Sequence, residues 1–374
     1  MIPPPIRIFV SAGEPSGDLH GAGVVKALRR RYPNALIEAF GGPAMAAAGA
    51  RVLFPMEEYS AMGFVEVISA LPAHLRLLGT LGTRFRAQPY DLVLLIDYPG
   101  FHLRLAASAH ASGARVLYYI PPQLWAWRPG RAKRLRGVVD RLAVILPFEK
   151  QALSALGLTA EFVGHPLVDD VPPVGHRGLA RVALGIPATD RVLAIFPGSR
   201  KVEVNNHWPI FRDVARQVLE EGRCDRVIMA ARPVGEYPDP GPVQIFRGDS
   251  LSVLSAADAV LAKSGTTTLQ AALTDTPMVV AYRTHPLTYR IARRLMKVRW
   301  ISLVNLIAER EVVPELEQHE VTVTGILNKL RPLLDPSDPL TQSQRAGLAL
   351  VRERLGPPGA ADRVAAIAAE LLGR

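Results

Sequence analysis

The sequence predicts an α/β fold made of two doubly wound, Rossmann-like domains. Apolar, β-branched runs of strand length alternate with stretches of helical periodicity along most of its 374 residues. This alternation pauses once, at a Pro- and Gly-rich stretch over 165–175, and then starts again. Such alternation is typical of parallel sheets covered by helices, and this length exceeds that of one ordinary domain, so we expect two.

The first half opens with an alternating strand, a glycine loop over 12–17 and a helix over 18–31, which is the usual start of a doubly wound sheet. Helical stretches separate several of the later strand-like runs. The runs predicted as strands in this half are 6–11, 35–40, 92–96, 115–119, 141–145 and 161–163.

The second half repeats the pattern, with strands predicted at 191–196, 226–230, 243–246, 259–262 and 278–281 and helices at 209–221, 250–256 and 267–273. Beyond 310 the chain is predicted to be helical, with Pro-rich breaks. We therefore expect one domain over 1–168, a second over 176–340 and a helical segment over 341–374 that docks on another domain or subunit. Ligands of such sheets bind beyond the carboxyl ends of the strands, so we expect the two domains to face each other across a cleft.

Composition narrows the class of protein. A single cysteine excludes an internal disulfide and favours a reducing compartment. The start lacks a signal-peptide pattern and no apolar run is long enough to span a membrane, so we expect a cytoplasmic protein. The net charge of +10 favours acidic partners, although an arginine-rich composition explains it equally well. No run of five basic residues occurs, which argues against nucleic acid.

Two loops in the second half have the composition of phosphate-binding loops. Each follows a predicted strand and combines small residues with a cation, so backbone N–H groups and positive charge meet there. Two such loops suit a nucleotide diphosphate. Their residues are Gly198, Ser199 and Arg200 in one loop and Lys263, Ser264, Gly265 and Thr266 in the other.

Each of these residues also has a structural alternative. Arg200 can hold a diphosphate through its forked guanidinium, or it can pair with Glu203. Lys263 can add charge, or simply lie at a strand end. Gln270, one turn into the helix, can bond a ribose hydroxyl or face solvent. The sequence contains no Asp-x-Asp metal-binding pair, so we expect protein cations to neutralise the diphosphate without a metal or other cofactor.

In the first half, Asp97 follows an apolar strand and precedes Pro and Gly. A carboxylate there can take a proton from an attacking hydroxyl, or it can cap the following helix, and the residues alone favour neither. Glu14 and Asp18 share this ambiguity, since Asp18 can be the N-cap of its helix. His20 and His165 are alternative bases.

Two further segments have apolar and basic character. Trp125 lies near Arg128, which suits a sugar phosphate or acyl-bearing ligand but also a packed aromatic cluster. The segment 62–86 carries an apolar stripe with arginines nearby. Such a stripe can rest on an anionic membrane, although a core-facing helix is the more ordinary interpretation.

Eleven short blocks of the sequence together resemble the lipid-A-disaccharide synthase family of glycosyltransferases. They follow the family's order over residues 6–315, and they include Ser-Ala-Gly-Glu-Pro-Ser-Gly-Asp, Ile-Asp-Tyr-Pro-Gly-Phe, Phe-Pro-Gly-Ser-Arg and Ser-Leu-Val-Asn-Leu. The blocks begin at 11, 41, 62, 96, 125, 146, 162, 196, 263, 277 and 302. Each block is weak evidence alone, whereas the ordered set is specific.

The resemblance implies a GT-B fold and an inverting transfer. UDP-2,3-diacylglucosamine and 2,3-diacylglucosamine 1-phosphate would give a β(1→6) disaccharide 1-phosphate and UDP. It implies Asp97 as the general base, Arg200 at the donor diphosphate and Asn305 in the donor site. It also implies a peripheral protein on the cytoplasmic face of the inner membrane. A second copy of the chain, in a homodimer, is a further expected partner. The residues expected on the acceptor and lipid side are Glu14, Ser16, Asp18, Met62, Phe64, Trp125 and Arg128.

The chain departs from the family pattern at three positions, of which Phe196, in place of the frequent Leu before Pro-Gly-Ser-Arg, is a mild change. Gln270 stands where Glu is usual, which keeps a hydrogen-bond acceptor but loses a charge. His102 stands where Asn is usual, close to Asp97. A UDP-N-acetylglucosamine 2-epimerase, the lipid-II-forming glycosyltransferase and a non-catalytic lipid- or nucleotide-binding module remain as alternatives.

Overall fold

The chain divides into two compact units, as its sequence predicts. The computed structural model describes residues 5–59, 64–126, 129–171, 174–231, 237–248, 250–296 and 298–373. Unit 1 comprises Met1–Asp169 and Gly356–Arg374, and unit 2 comprises Asp170–Leu355. Each unit has its own parallel sheet flanked by helices, so the predicted α/β class is confirmed.

In the described part of unit 1, seven parallel strands form one sheet in the order β3-β2-β1-β4-β5-β6-β7. The strands are β1 (Arg7–Ala12), β2 (Leu36–Gly41), β3 (Arg51–Pro55), β4 (Leu92–Ile96), β5 (Arg115–Tyr119), β6 (Arg141–Val144) and β7 (Ala160–Phe162). The helices are α1 (Pro15–Arg31), α2 (Pro43–Ala47), α3 (Phe64–Ala87), α4 (Pro99–Ala111), α5 (Glu149–Ser154) and α6 (Leu167–Asp170), which crosses the boundary between the units.

In the described part of unit 2, six parallel strands form a sheet in the order β10-β9-β8-β11-β12-β13. The strands are β8 (Val192–Phe196), β9 (Arg226–Ala231), β10 (Val243–Arg247), β11 (Ala259–Lys263), β12 (Met278–Tyr282) and β13 (Glu315–Glu317). The helices are α7 (Arg177–Ala183), α8 (Lys201–Glu220), α9 (Ser250–Ala256), α10 (Thr266–Leu273), α11 (Pro286–Leu295), α12 (Leu303–Ala308), α13 (Val323–Leu330) and α14 (Pro339–Arg354).

The chain returns to unit 1 at its end through α15 (Ala360–Leu372). This helix packs beside α1, where Val364 and Ala368 enter the same apolar cluster as Val24 and Leu28. The segment predicted as one docking unit over 341–374 is thus divided, because α14 belongs to unit 2 and α15 to unit 1.

The apolar stripe of α3 faces the core of unit 1. Leu77, Leu81 and Phe85 are buried against the sheet, in a cluster that includes Phe9 and Tyr118. The suggestion that this stripe meets a lipid is therefore wrong for these three side chains, because they cover the sheet instead.

Several elements depart from the prediction. Strand β3 was not predicted because it is a partly exposed edge strand, and β13 has only three residues. Helix α8 begins at Lys201 rather than at Pro209, which lies inside the helix. The side chain of Glu203 accepts hydrogen bonds from the N–H groups of Ser199 and Arg200, which fixes the earlier start.

The strand order reverses once in each sheet. The reversal lies between β1 and β4 in unit 1 and between β8 and β11 in unit 2. Loops that follow the two strands at such a reversal separate and leave a crevice, where doubly wound sheets bind their ligands. Within the described residues, no helix combines the length and apolarity needed to cross a membrane.

Candidate active site

Asp97 follows β4 directly, at the strand reversal of unit 1. Its φ is 49° and that of Tyr98 is 51°, a left-handed conformation that non-glycine residues seldom adopt. Three hydrogen bonds hold this backbone: the Asp97 N–H donates to the Tyr119 carbonyl at 3.0 Å, and the Asp97 carbonyl accepts from the Tyr118 hydroxyl at 2.8 Å and from His102 Nδ1 at 2.7 Å. Strained backbone that is held this firmly is common at functional sites.

The carboxyl group of Asp97 is suited to accept a proton. Burial, and then the nearby carboxylate of Glu14, raises its pKa, while the backbone N–H of Tyr98 opposes the rise. Helix α4 has Tyr98 as its N-cap residue, so the alternative in which Asp97 caps this helix is wrong. A partly exposed carboxylate with a raised pKa is a stronger base than an ordinary aspartate.

His102 supports Asp97 from within the core. The ring is fully buried, and its Nε2 lies 2.7 Å from the Ser11 hydroxyl on β1. Burial lowers the pKa of His102 to about 4, so the ring is neutral at physiological pH. A neutral ring that donates from Nδ1 to the Asp97 carbonyl accepts at Nε2, so Ser11 is its donor. The structure thus gives the unusual His102 a positioning role that sequence reasoning missed.

The glycine loop after β1 approaches the same place. A Cβ atom on Gly13 would lie 2.4 Å from the ring of Tyr98, so glycine allows the loop to pass close to this ring. Glu14 is the exposed N-cap residue of α1, and Ser16 is exposed in its first turn. Glu14 and Asp97 therefore lie close enough for the Glu14 charge to act on the carboxyl group of Asp97.

Asp18 has a different position from its predicted one. Its buried carboxylate accepts hydrogen bonds from the N–H groups of Gly42, Ala44 and Met45 at 2.8, 2.9 and 3.2 Å. These groups surround the start of α2, so Asp18 caps α2 and not its own helix, where it lies inside the first turn. The N-cap alternative is wrong because α1 begins three residues earlier, at Pro15.

The tryptophan segment contains a buried polar contact. The indole N–H of Trp125 donates to the buried carboxylate of Glu149 at 3.0 Å, and its ring packs edge-on against Phe148 at 4.7 Å between centroids. Burial raises the pKa of Glu149, while the hydrogen bonds from Trp125 and from the N–H groups of Leu146 and Ile145 oppose the rise. Met62 and Arg128 lie outside the described residues, and Phe64 is the first residue of α3.

The two histidines named as alternative bases lie close enough to interact. His165 is buried, and its Nδ1 accepts the Leu167 N–H at 3.2 Å. Burial, and then the neighbouring His20, lowers the pKa of His165 to about 4. The His20 ring lies 6.4 Å from the ring of Tyr119.

In unit 2, Glu203 joins the two predicted phosphate loops. One carboxylate oxygen accepts from the Ser199 N–H at 2.9 Å, and the other lies 3.0 Å from Lys263 Nζ. Burial would raise the pKa of Glu203, but the Ser199 N–H and the Lys263 ammonium outweigh it and hold the pKa below its usual value. The loops after β8 and β11 are therefore adjacent, and Lys263 is already paired.

Arg200 differs from Lys263 in its exposure. The side chain of Arg200 is 83% exposed, and a guanidinium nitrogen lies 3.9 Å from a carboxylate oxygen of Glu203. At this distance the guanidinium keeps most of its hydrogen-bond donors for solvent or a ligand. Gly198 has a φ of 129°, and a Cβ atom there would lie 2.5 Å from the Glu203 Cβ. Glycine is thus required for the turn that presents Arg200.

The loop after β11 leads directly into α10. Gly265 is the N-cap residue of this helix, and its carbonyl accepts the Thr268 hydroxyl at 2.7 Å. The Ser264 hydroxyl donates to the Ile301 carbonyl at 2.8 Å, so it ties the loop to the start of α12. Thr266 is exposed at the helix start and Gln270 is half-buried one turn further on. Amide groups at a helix start favour an anion.

Asn305 is fully buried and all its side-chain hydrogen bonds are made within unit 2. Its Oδ1 accepts from the N–H groups of Val312 and Val313 at 2.7 and 3.0 Å, and its Nδ2 donates to the Val313 carbonyl at 2.9 Å and to Glu315 at 2.7 Å. Four bonds satisfy an amide completely. The structure therefore places Asn305 as a support for α12 and β13.

Comparison with known proteins identifies the family. The family model for lipid-A-disaccharide synthetase matches residues 8–357. The chain belongs to the lipid-A-disaccharide synthetase family. The lipid-A-disaccharide synthase of Geobacter metallireducens is 39% identical over 377 residues, covering 98% of each chain. That of Pseudomonas aeruginosa is 42% identical over 340 residues, covering 88% of this chain and 90% of the relative. The predicted family and glycosyltransferase class are confirmed.

Solved structures confirm the GT-B fold of this family member. A putative UDP-N-acetylglucosamine 2-epimerase from Listeria monocytogenes has a TM-score of 0.65 at 12% identity, covering 98% of this chain and 97% of its own. The calicheamicin glycosyltransferase CalG4 has a TM-score of 0.60 at 18% identity, covering 99% of each chain. An epimerase and a glycosyltransferase share this fold, so the fold alone does not decide between them.

Proposed function

We propose that the chain condenses UDP-2,3-diacylglucosamine with 2,3-diacylglucosamine 1-phosphate, with Asp97 as the general base. The observation that carries this proposal is the Asp97 carboxylate, fixed in a left-handed turn at the strand reversal with its pKa raised. The family assigns the reaction, which forms a β(1→6) disaccharide 1-phosphate and UDP in lipid A biosynthesis.

In the proposed reaction, the carboxylate of Asp97 takes the proton of the acceptor 6-hydroxyl. The hydroxyl oxygen forms a bond to the anomeric carbon of the donor as the bond from that carbon to the UDP oxygen breaks. The attack is in line, so the configuration at the anomeric carbon inverts. UDP leaves with the electron pair of the broken bond.

The donor is proposed to bind to unit 2. Arg200 is exposed and charged, and the N-terminus of α10 offers backbone donors, so both suit the charge that develops on the departing diphosphate. Gln270 is proposed to bond the ribose. Lys263 contributes by fixing Glu203 between the loops, and Asn305 contributes by holding α12 in place.

Replacement of the proposed base tests this mechanism. Asp97→Asn keeps the size of the side chain but removes the base, so turnover should fall by about 100- to 10,000-fold. The product is measured by mass spectrometry after incubation with both acylated sugars. Asp91→Asn, at an exposed aspartate before the same strand, is the matched control and should keep normal turnover. Near-normal turnover by Asp97→Asn would contradict the assignment.

The acylated substrates lead to a further proposal, that the protein attaches peripherally to the cytoplasmic face of the inner membrane. Leu75 on α3 is 51% exposed, in contrast to the buried stripe that follows it. Cell fractionation should recover the protein with membranes and high salt should release it.

A homodimer is also proposed, and sedimentation of the purified protein at several concentrations tests it.

A further inference from the structure

Helix α11 presents its apolar side chains to solvent rather than to the core. Leu287, Ile291 and Leu295 are 58%, 52% and 50% exposed. They are spaced by four residues, so they form one stripe along the helix. An amphipathic helix on the surface of a globular unit usually has the opposite orientation, with its apolar stripe buried.

Polar contacts on the opposite side explain this orientation. The Tyr289 hydroxyl donates to Glu317 at 2.5 Å, and Arg293 lies 3.6 Å from the same carboxylate. Arg293 also donates to the carbonyls of Val298 and Arg299 at 3.3 and 3.0 Å. The polar side of α11 is therefore the side that joins unit 2, and the apolar stripe points away from it.

The charges around the stripe indicate what covers it. Arg290 and Arg294 are exposed beside the stripe, and the sequence of α11 contains no acidic residue. In the loop that follows, the Arg299 guanidinium lies 5.1 Å from the centre of the Trp300 ring. Exposed leucines, arginines beside them and a tryptophan near the end form the composition of helices that lie in the interface of an anionic membrane.

We infer that α11 is a membrane-docking helix of unit 2, which lays Leu287, Ile291 and Leu295 into the acyl boundary of an anionic bilayer while Arg290 and Arg294 contact lipid phosphates. The inference rests on the proposed use of acylated substrates. It assigns attachment to a helix distant in sequence from the 62–86 segment, in which Leu77, Leu81 and Phe85 are buried.

Binding to lipid vesicles tests this inference without substrate. The full chain is sedimented with vesicles of phosphatidylglycerol and phosphatidylcholine, and with vesicles of phosphatidylcholine alone. Leu287→Ser/Ile291→Ser/Leu295→Ser should lower the partition coefficient for anionic vesicles by about tenfold or more. Arg290→Gln/Arg294→Gln should lower it by about fivefold for each arginine, and less at high salt.

A matched control removes exposed apolar side chains elsewhere in unit 2. Leu179, Val182 and Leu340 are 69%, 80% and 62% exposed, and Leu179→Ser/Val182→Ser/Leu340→Ser should bind anionic vesicles as the unchanged protein does. Equal binding by the α11 variants would overturn the inference. So would a loss of self-association in lipid-free solution with vesicle binding unchanged, because the stripe would then be a subunit contact. Lack of turnover alone would refute the proposed reaction but would not alter vesicle binding.

Discussion

At the scale of single residues, the environment of Asp97 is set by its neighbours rather than by its own type. Its backbone is held by Tyr118 and His102, and its carboxyl pKa is raised by burial and by Glu14. A carboxylate with these neighbours acts as a base over a narrower pH range than a free aspartate. The acid limb of the activity profile therefore reports on this site.

Glu14→Gln should shift that acid limb to lower pH. The Glu14 charge disfavours ionisation of Asp97, so its removal lowers the pKa of Asp97 and the base stays ionised in more acidic solution. The measurement is the pH dependence of kcat. Glu220→Gln removes an exposed carboxylate at the end of α8 in unit 2, and it should leave the limb in place. A shift to higher pH, or none, would show that Glu14 does not act on the base.

At the scale of elements, the turn after β8 depends on Gly198. An added Cβ would lie 2.5 Å from the Glu203 Cβ, in a backbone conformation that alanine rarely adopts. Gly198→Ala should therefore displace the loop that carries Ser199 and Arg200. We expect UDP affinity, measured by titration calorimetry, to fall by about tenfold, which is equivalent to about 1.4 kcal/mol and lies within the roughly 1–3 kcal/mol usual for such strain.

Gly178→Ala is the matched control for this turn. Gly178 lies inside α7, and a Cβ atom there would meet nothing within 4 Å. Since alanine also favours a helix more than glycine does, this variant should keep its UDP affinity and its stability. If both variants bound UDP equally, the loop after β8 would not be part of the donor site.

The elements also show what the sequence can and cannot predict. The sequence predicts buried strands such as β4 and β11 because they are continuous apolar runs. It predicts that the loops after them bind ligands because the strand ends of this fold hold ligands. The roles of Asp18 and Asn305 were not predicted, because each side chain bonds to backbone groups outside its own helix. Glu203 was considered only as a partner for Arg200, since its contact with Lys263 depends on the pairing of β8 with β11.

At the scale of the whole molecule, the fold supplies two strand reversals and the loops supply the chemistry. The same architecture occurs in an epimerase and in a glycosyltransferase, so neither sheet determines the reaction. We propose that the side chains at the ends of β1, β4, β8 and β11 determine the reaction instead. When acylated and non-acylated UDP-glucosamine are offered as donors, the chain should therefore prefer the acylated sugar. A UDP-N-acetylglucosamine 2-epimerase or the lipid-II-forming glycosyltransferase would prefer the non-acylated sugar.

The whole molecule should also be sensitive to mild acid, because unit 1 buries two neutral histidines. Burial lowers the pKa values of His102 and His165 to about 4, whereas an unfolded histidine titrates near 6.5. Between these values the unfolded chain binds protons that the folded chain does not, so stability falls as pH falls. The expected slope is about 1.4 kcal/mol per pH unit for each histidine.

Urea unfolding at several pH values measures this slope. His102→Asn/His165→Asn replaces both rings with side chains that do not titrate, and an asparagine at 102 can still donate to the Asp97 carbonyl and accept from Ser11. The free energy of unfolding of this variant should change less between pH 6.5 and 4 than that of the unchanged protein. His110→Asn, at an exposed position near the end of α4, should keep the original slope. Parallel slopes for all three proteins would mean that groups other than the buried histidines cause the acid sensitivity.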